Sequence, residues 1–203
     1  MMARRNDHSR EEIQAMAVQA AISILSQEGL QGLSTRKVAS EIGYTVGTLY
    51  LVFKNLDELI LYVNAAALDD LHQVLNKALN QELDPAKQLL TMAHAYLGFA
   101  SDQFARWSLM FSHRMPTEMG LPDWFHDKVR NLFALVVGPL HQLNPSLSEQ
   151  AYQQATYVLW SSVHGVCELG LNDKLTLGGE IQAKVLIDSL VKNYLKGFTQ
   201  GWD

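Results

Sequence analysis

Between Ser34 and Asn55 the chain reads STRKVASEIGYTVGTLYLVFKN, two helix-capping residues with a single glycine between them. Ser34 can accept a hydrogen bond from the backbone of the helix it opens, TRKVASEI, in which Val38 and Ile42 fall on one face. Gly43 closes that helix, because glycine reaches the left-handed backbone conformation that a C-terminal cap requires. Thr45 then offers a fresh N-cap only two residues on. So short an interval holds neither a strand nor a long loop. The spacing predicts helix, tight turn, helix, which is that of a helix-turn-helix.

The flanking sequence is punctuated in the same way. Ser9 with Glu12 forms a capping-box signature, and Ile13, Ala17, Ala20, Ala21 and Ile24 recur at helical spacing until Gly29. Asn55 with Glu58 caps a long helix expected from about Asp57 to about Leu83. Asp84 before Pro85 marks an N-cap and first helical residue, Pro122 opens a segment through Leu143, and Ser148 with Glu149 opens another through Gly170. The loop LNDKLTLGG leads to a last helix from about Glu180 to Thr199. There is no alternating strand pattern, no fixed-period repeat and no low-complexity segment, so the chain is expected to be all-α.

The last two helices are apolar over an unusually wide arc. Tyr152, Ala155, Leu159, Val163, Val166 and Leu169 cover one side of the first, with Tyr157, Val158 and Trp160 off it. On the second, Val185, Leu186, Leu190, Val191, Tyr194, Leu195 and Phe198 span more than half the circumference. A helix this apolar buries a second face. Homodimerisation is therefore expected, with Leu159, Val163, Val166, Leu190, Val191, Tyr194 and Phe198 as candidate interface residues.

Composition excludes several classes. At 203 residues, 48% hydrophobic and 18% charged, the chain is an ordinary globular protein able to bury a sizeable core. No apolar run approaches the roughly 18 residues that span a bilayer, and MMARRNDHSREE lacks the apolar core of a secretion signal. A cytoplasmic location without membrane contact is expected, in keeping with a lone cysteine, Cys167. The net charge of −5 is unevenly spread, with six basic against five acidic residues up to Asn55 and ten against sixteen beyond it. Positive charge gathers where the helix-turn-helix lies, which suggests two separate jobs.

The second helix of the pair has two faces. If Thr45 caps it, Leu49 and Phe53 turn inward with Val38 and Ile42, leaving Val46, Gly47, Tyr50 and Leu51 outward. Gly47 costs about 1 kcal/mol of helix propensity relative to alanine but allows close backbone approach to a partner. Such a surface suits a helix that enters a groove.

LSTRKVASEIGYTVGTLYLVFKNLDEL, with the Ser9 to Gly29 helix, resembles the N-terminal DNA-binding domain of TetR-type transcriptional repressors over roughly residues 9 to 60. LWSSVHGVCELGL, from Leu159 to Leu171, is similar to the Trp-x-x-x-His-Gly segment of one TetR C-terminal subclass. The resemblance implies about nine helices: a helix-turn-helix DNA-binding domain in residues 1–56 and a helical effector-binding and dimerisation domain in 57–203. It also implies that Thr45, Val46, Gly47, Thr48, Tyr50 and Leu51 face DNA, and that Arg36 reaches a guanine. A guanidinium can donate two hydrogen bonds to guanine O6 and N7, worth roughly 1–3 kcal/mol of discrimination. Thr35, Lys37, Thr48, Tyr50 and Lys54 would donate to phosphates, making affinity fall with salt. Leu56 departs from the family, which usually has lysine there. Leu51 and Val52 replace the aromatic or histidine residues of many relatives, and Val46 and Leu51 are candidates to read thymine methyl groups.

No GxSxG, HExxH, Walker A or dinucleotide-binding loop is present, nor a nucleophile beside a base, so an enzyme is not expected. Neither a cofactor nor a metal is expected: Asp69, Asp70 and His72 read as a solvated helix face, and Cys167 as a small buried hydrophobe. An apolar effector cavity is expected instead, drawn from His94, Tyr96, Phe104, Trp107, Met110, Phe111, His113, Trp124, Trp160 and His164, with Met92, Phe99 and Phe133 nearby. The expected function is a homodimeric regulator of transcription, a repressor released from a palindromic double-stranded DNA operator by a small, mostly apolar effector. The alternative is a ligand- or partner-binding helical module that no longer reads DNA.

Overall fold

The computed structural model describes residues 8–116, 120–175 and 182–200. Among the described residues it contains nine helices and no strand: α1 (Arg10–Gly32), α2 (Thr35–Glu41), α3 (Val46–Val52), α4 (Leu56–Leu79), α5 (Pro85–Asp102), α6 (Phe104–Ser112), α7 (Asp123–Leu143), α8 (Glu149–Leu171) and α9 (Ala183–Gln200). The caps account for most of the boundaries. Ser9, Ser34, Thr45, Asp84 and Ser148 each accept a hydrogen bond from the third backbone N–H of the helix they open, satisfying a donor that has no partner inside the helix. Ser9 and Glu12 complete the expected capping box. α1 breaks at Gly29, whose φ is +69°, and the turn between α2 and α3 is made by Gly43 at φ +74°. Most of the loop ahead of α9, and Glu180, where the last helix was expected to begin, lie outside the described residues.

The chain forms two compact units. The first comprises Met1–Ala67 and Phe104–Pro122, the second Leu68–Gln103 and Asp123–Asp203. In the first unit α1 packs on α2, α3 and α6. Ala17 and Ala21, fully buried on α1, let these helices approach closely, and the core continues through Ile24, Val38, Leu49, Phe53, Leu59 and Val63. Leu109 of α6 is part of this core, with Ala105 packed against it. The sequence-based division at residues 56 and 57 makes no provision for that return of the chain, because the apolar face of α6 shows that it must be buried but not against what.

The second unit is a bundle in which α5 meets α7, α8 and α9, and α8 meets α7 and α9. Tyr96, Tyr152, Leu159, Val163, Ile187 and Val191 are buried there. Polar contacts pin the helices: His94 Nε2 lies 2.6 Å from the Asp188 carboxylate, and the Tyr152 hydroxyl donates to the Asn144 carbonyl at 2.7 Å. α4 gives its first residues to one unit and its last to the other. No helix of the described residues is long and apolar enough to cross a membrane.

Candidate nucleic-acid interface and effector cavity

α3 separates its faces as its sequence predicts. Leu49 is 1% exposed and Phe53 3%, whereas Tyr50 is 54% and Leu51 68% exposed. Thr45 and Gly47 are exposed, and Val46 and Thr48 half-buried. A Cβ on Gly47 would meet nothing nearer than the Thr45 hydroxyl at 3.7 Å, so the glycine answers no crowding inside the unit. Thr45 is also a local organiser: its hydroxyl oxygen accepts from the Thr48 backbone and lies 3.0 Å from the Thr48 hydroxyl.

Thr35, Arg36, Val46 and Tyr50 line one cleft between the two short helices, together with Ser34. Four candidates thus share a surface, with Arg36 exposed at its edge. Ser34 was singled out in the sequence only as a cap, and its place in the cleft follows from that position. Lys54 is exposed at the end of α3. Lys37 is different, because its ammonium group is ion-paired with the Glu28 carboxylate. That partner lies on α1, and no local signal in the sequence joins the two.

Two residues of suspected importance have other duties. Val52, which stands where many relatives carry an aromatic or histidine residue, is buried in the core and takes no part in a DNA-facing surface. Leu56 is packed against the same core, which supplies a reason for an apolar residue where relatives carry lysine. Of the three departures, Leu51 alone is presented to solvent.

In the second unit a cavity of about 70 Å³ lies among Leu75, Met92, Tyr96, Val136, Trp160 and Val163, with Leu89, Ala93, Leu159 and Val191 completing its wall. A void so nearly free of polar lining stays dry. The Tyr96 hydroxyl lies 2.9 Å from His164 Nδ1, and the imidazole stacks on Trp160. Burial pushes the His164 pKa below its ordinary value, against the opposing charge of Glu168, which favours the neutral ring. Cys167, fully buried, has its thiol pKa pushed up to about 12 by desolvation, leaving it an unreactive core residue.

Of the ten residues expected to line a pocket, Tyr96 and Trp160 reach this cavity, and His164 is joined to both. His94 is engaged by Asp188, and Trp124 is half-buried with its ring against Phe125. Phe104, Trp107, Met110, Phe111 and His113 belong to the other unit, where Trp107 packs against Phe104 and Phe111 and His113 Nε2 lies 3.2 Å from the Asp57 carboxylate. The aliphatic wall escaped sequence reasoning because nothing distinguishes a cavity-lining leucine from a core one.

The wide apolar arcs also divide differently from expectation. Leu159, Val163 and Val191 are already buried within the chain, spent on the α5–α8–α9 packing and not left over for a second copy. Val166, Leu190, Tyr194 and Phe198 are half-buried. The apolar residues that α8 and α9 present to solvent are Tyr157, Val158, Leu169 and Val185.

Comparison with known proteins accords with these features. Residues 17–63 match the model of bacterial regulatory proteins of the tetR family, and residues 89–194 that of the tetracyclin repressor-like C-terminal domain. An HTH-type transcriptional regulator of Mycobacterium tuberculosis, itself uncharacterized, is 30% identical over 158 residues, 77% of this chain and 67% of that protein. Another from the same species is 27% identical over 117 residues, 57% of this chain, so the chain spans about half the length of that relative, 50%. Among solved structures, a TetR-family transcriptional regulator from Streptomyces coelicolor aligns with a TM-score of 0.66 at 18% identity, over 91% of this chain and 98% of that one. RolR in complex with resorcinol aligns with a TM-score of 0.64 at 16% identity, over 96% of each chain. The chain is a member of the TetR family of transcriptional regulators, with an N-terminal helix-turn-helix domain.

Proposed function

We propose that the protein is a repressor that binds a palindromic operator as a homodimer and is released by a small, uncharged, mostly apolar effector. The observation that carries the first part is the exposure of Tyr50 and Leu51 on a helix whose other face is buried, beside a cleft that includes Arg36. Val46, Gly47 and Leu51 meet base edges, Arg36 reads a guanine, and Thr35, Thr45, Thr48, Tyr50 and Lys54 meet sugar and phosphate. Tyr157, Val158, Leu169 and Val185 form the apolar surface between copies. Two recognition helices then fall about 34–36 Å apart, one turn of the double helix. Residues 1–56 act as the reading domain and 57–203 as the effector and dimerisation domain, with α6 returning to the first.

The effector reading rests on the apolar lining of the cavity, with the Tyr96–His164 pair at its border as the source of one polar contact. RolR, of similar fold, was crystallised with resorcinol, a compact aromatic molecule. At about 70 Å³ the cavity is well below the roughly 300 Å³ at which ligand pockets begin. The effector must therefore widen it, and that expansion is the work that favours a non-binding state. Coupling of this kind is typically about 1–3 kcal/mol.

The test begins with DNA selected from random sequences by the protein. Binding to the selected site, read by fluorescence anisotropy, should fall steeply with salt and weaken when thymines at the contacted positions are replaced by uracil. Failure to select any sequence, with or without neutral aromatic compounds, would leave the alternative of a module that no longer reads DNA.

The Lys37–Glu28 pair yields a separate expectation. Surface ion pairs contribute only about 0.2–1 kcal/mol, so Glu28→Gln should barely alter the melting temperature. It should, however, free Lys37 for a phosphate and steepen the plot of log affinity against log salt by about 0.9. An unchanged slope would show that Lys37 contacts no phosphate, or already does so despite Glu28.

A further inference from the structure

Outside the cavity, the start of α5, the end of α7 and the second half of α9 enclose an open groove of about 330 Å³. Its floor is apolar, with Leu90, Leu143, Val191 and Leu195, and its rim carries Lys87, Lys192 and Lys196. All three lysines are exposed. Lys192 comes no nearer than 4.0 Å to Asp188, whose other carboxylate oxygen is engaged by His94. Among the described residues, Lys87 and Lys196 have no carboxylate within ion-pair distance. Elsewhere in the same unit, by contrast, Lys128 and Arg130 are ion-paired with Asp69 and Asp127.

The local charge runs against that of the surrounding chain. Beyond Asn55 there are sixteen acidic residues and only ten basic ones, yet three of the ten edge this one groove. A single lysine over an apolar floor is explained by its methylene stem covering the surface. Three, drawn from two helices, make a positive rim above an apolar trough, which complements a molecule that is anionic at one end and apolar along the rest.

We propose that the groove binds a single-chain amphipathic anion of the fatty-carboxylate class, with its carboxylate among Lys87, Lys192 and Lys196 and its chain along Leu90, Leu143 and Leu195. Val191 lines both the groove and the cavity, so the chain rests on the outer side of one cavity wall. This site is distinct from the cavity of the proposed neutral effector, and binding here is measured without DNA. Its failure leaves the repressor reading untouched.

The probe is decanoate, below its micellar concentration, titrated calorimetrically into the full chain beside decan-1-ol and butyrate. Decanoate should saturate a single site and weaken as salt rises. The triple variant K87Q/K192Q/K196Q should bind it about tenfold less tightly, while decanol affinity, which depends on the shared tail, stays the same. All three side chains are exposed, so the variant should keep the far-UV circular dichroism and melting curve of the parent. Leu90→Asp, which sets a like charge on the floor, should abolish decanoate binding. Absence of saturable binding to the parent, equal decanoate affinity in the triple variant, or binding that survives Leu90→Asp would overturn the proposal.

Discussion

Trp107→Ala should lower the unfolding free energy by about 3–5 kcal/mol, the range for removal of a fully buried large aromatic side chain. Trp107 is 0% exposed, with ring centroids 6.1 Å from Phe104 and 5.6 Å from Phe111. Part of the loss is the apolar surface of the indole; the rest is the void it leaves, because the flanking phenyl rings are fixed to the same short helix and cannot close in. α6 has nine residues, fewer than the roughly 12–15 that an isolated helix needs to be marginally stable in water. Its existence therefore depends on packing. Leu109 of the same helix sits in the core that also holds Leu49 and Phe53, so loosening α6 should weaken the support of the recognition helix as well. Urea unfolding followed by far-UV circular dichroism, which does not depend on the deleted fluorophore, measures the effect. A change below about 1 kcal/mol would place Trp107 among ordinary surface substitutions and refute its role as the anchor of α6.

The position of α6 also marks the limit of what the sequence discloses. Caps and turns are local chemistry: Ser9, Ser34, Thr45, Asp84 and Ser148 each bond to a backbone N–H three residues on, and Gly43 is needed where φ is +74°. Such signals are complete within a few residues, so the helices that a cap opens, their order and the two faces of α3 were legible, whereas no cap signal set α6 apart as a helix of its own. Partner choice is not local. FARWSLMFSHRM announces an apolar face by composition, but nothing in those residues says that the face meets α1 and not the bundle of the second unit. A cavity is harder still, since it is a place where packing is incomplete. Tyr96 and Trp160 drew notice as aromatic residues, whereas Leu75, Ala93 and Val136 are indistinguishable in sequence from filled core. The same blindness misassigned Leu159, Val163 and Val191, whose apolar character was read as surplus when the chain itself buries them. Lys37 and Glu28 add a milder case, in which a candidate phosphate donor proved to be engaged by an acid from another helix.

The neighbouring residues Leu49 and Tyr50 should respond to truncation in opposite ways. Leu49 is 1% exposed and fixes α3 to the core; Leu49→Ala should cost about 2–5 kcal/mol of stability. Tyr50 is 54% exposed with its phenol directed away from that core, and Tyr50→Ala should change stability by no more than about 0.5 kcal/mol. Operator binding should invert the order at temperatures where both variants are folded. Tyr50→Ala removes a side chain that lines the cleft with Arg36 and should weaken binding about tenfold, the equivalent of about 1.4 kcal/mol. Under those conditions Leu49→Ala should bind with little loss, because the groups that meet DNA are intact. On warming, its affinity should collapse in parallel with its folded fraction, as linkage between folding and binding requires. The two melting curves and two anisotropy titrations decide the matter together. A strongly destabilised Tyr50→Ala would make Tyr50 part of the packing, and undiminished operator affinity in that stable variant would remove it from the interface. Either result would also weaken the case for Leu51, the adjacent apolar residue left facing outward on the same helix.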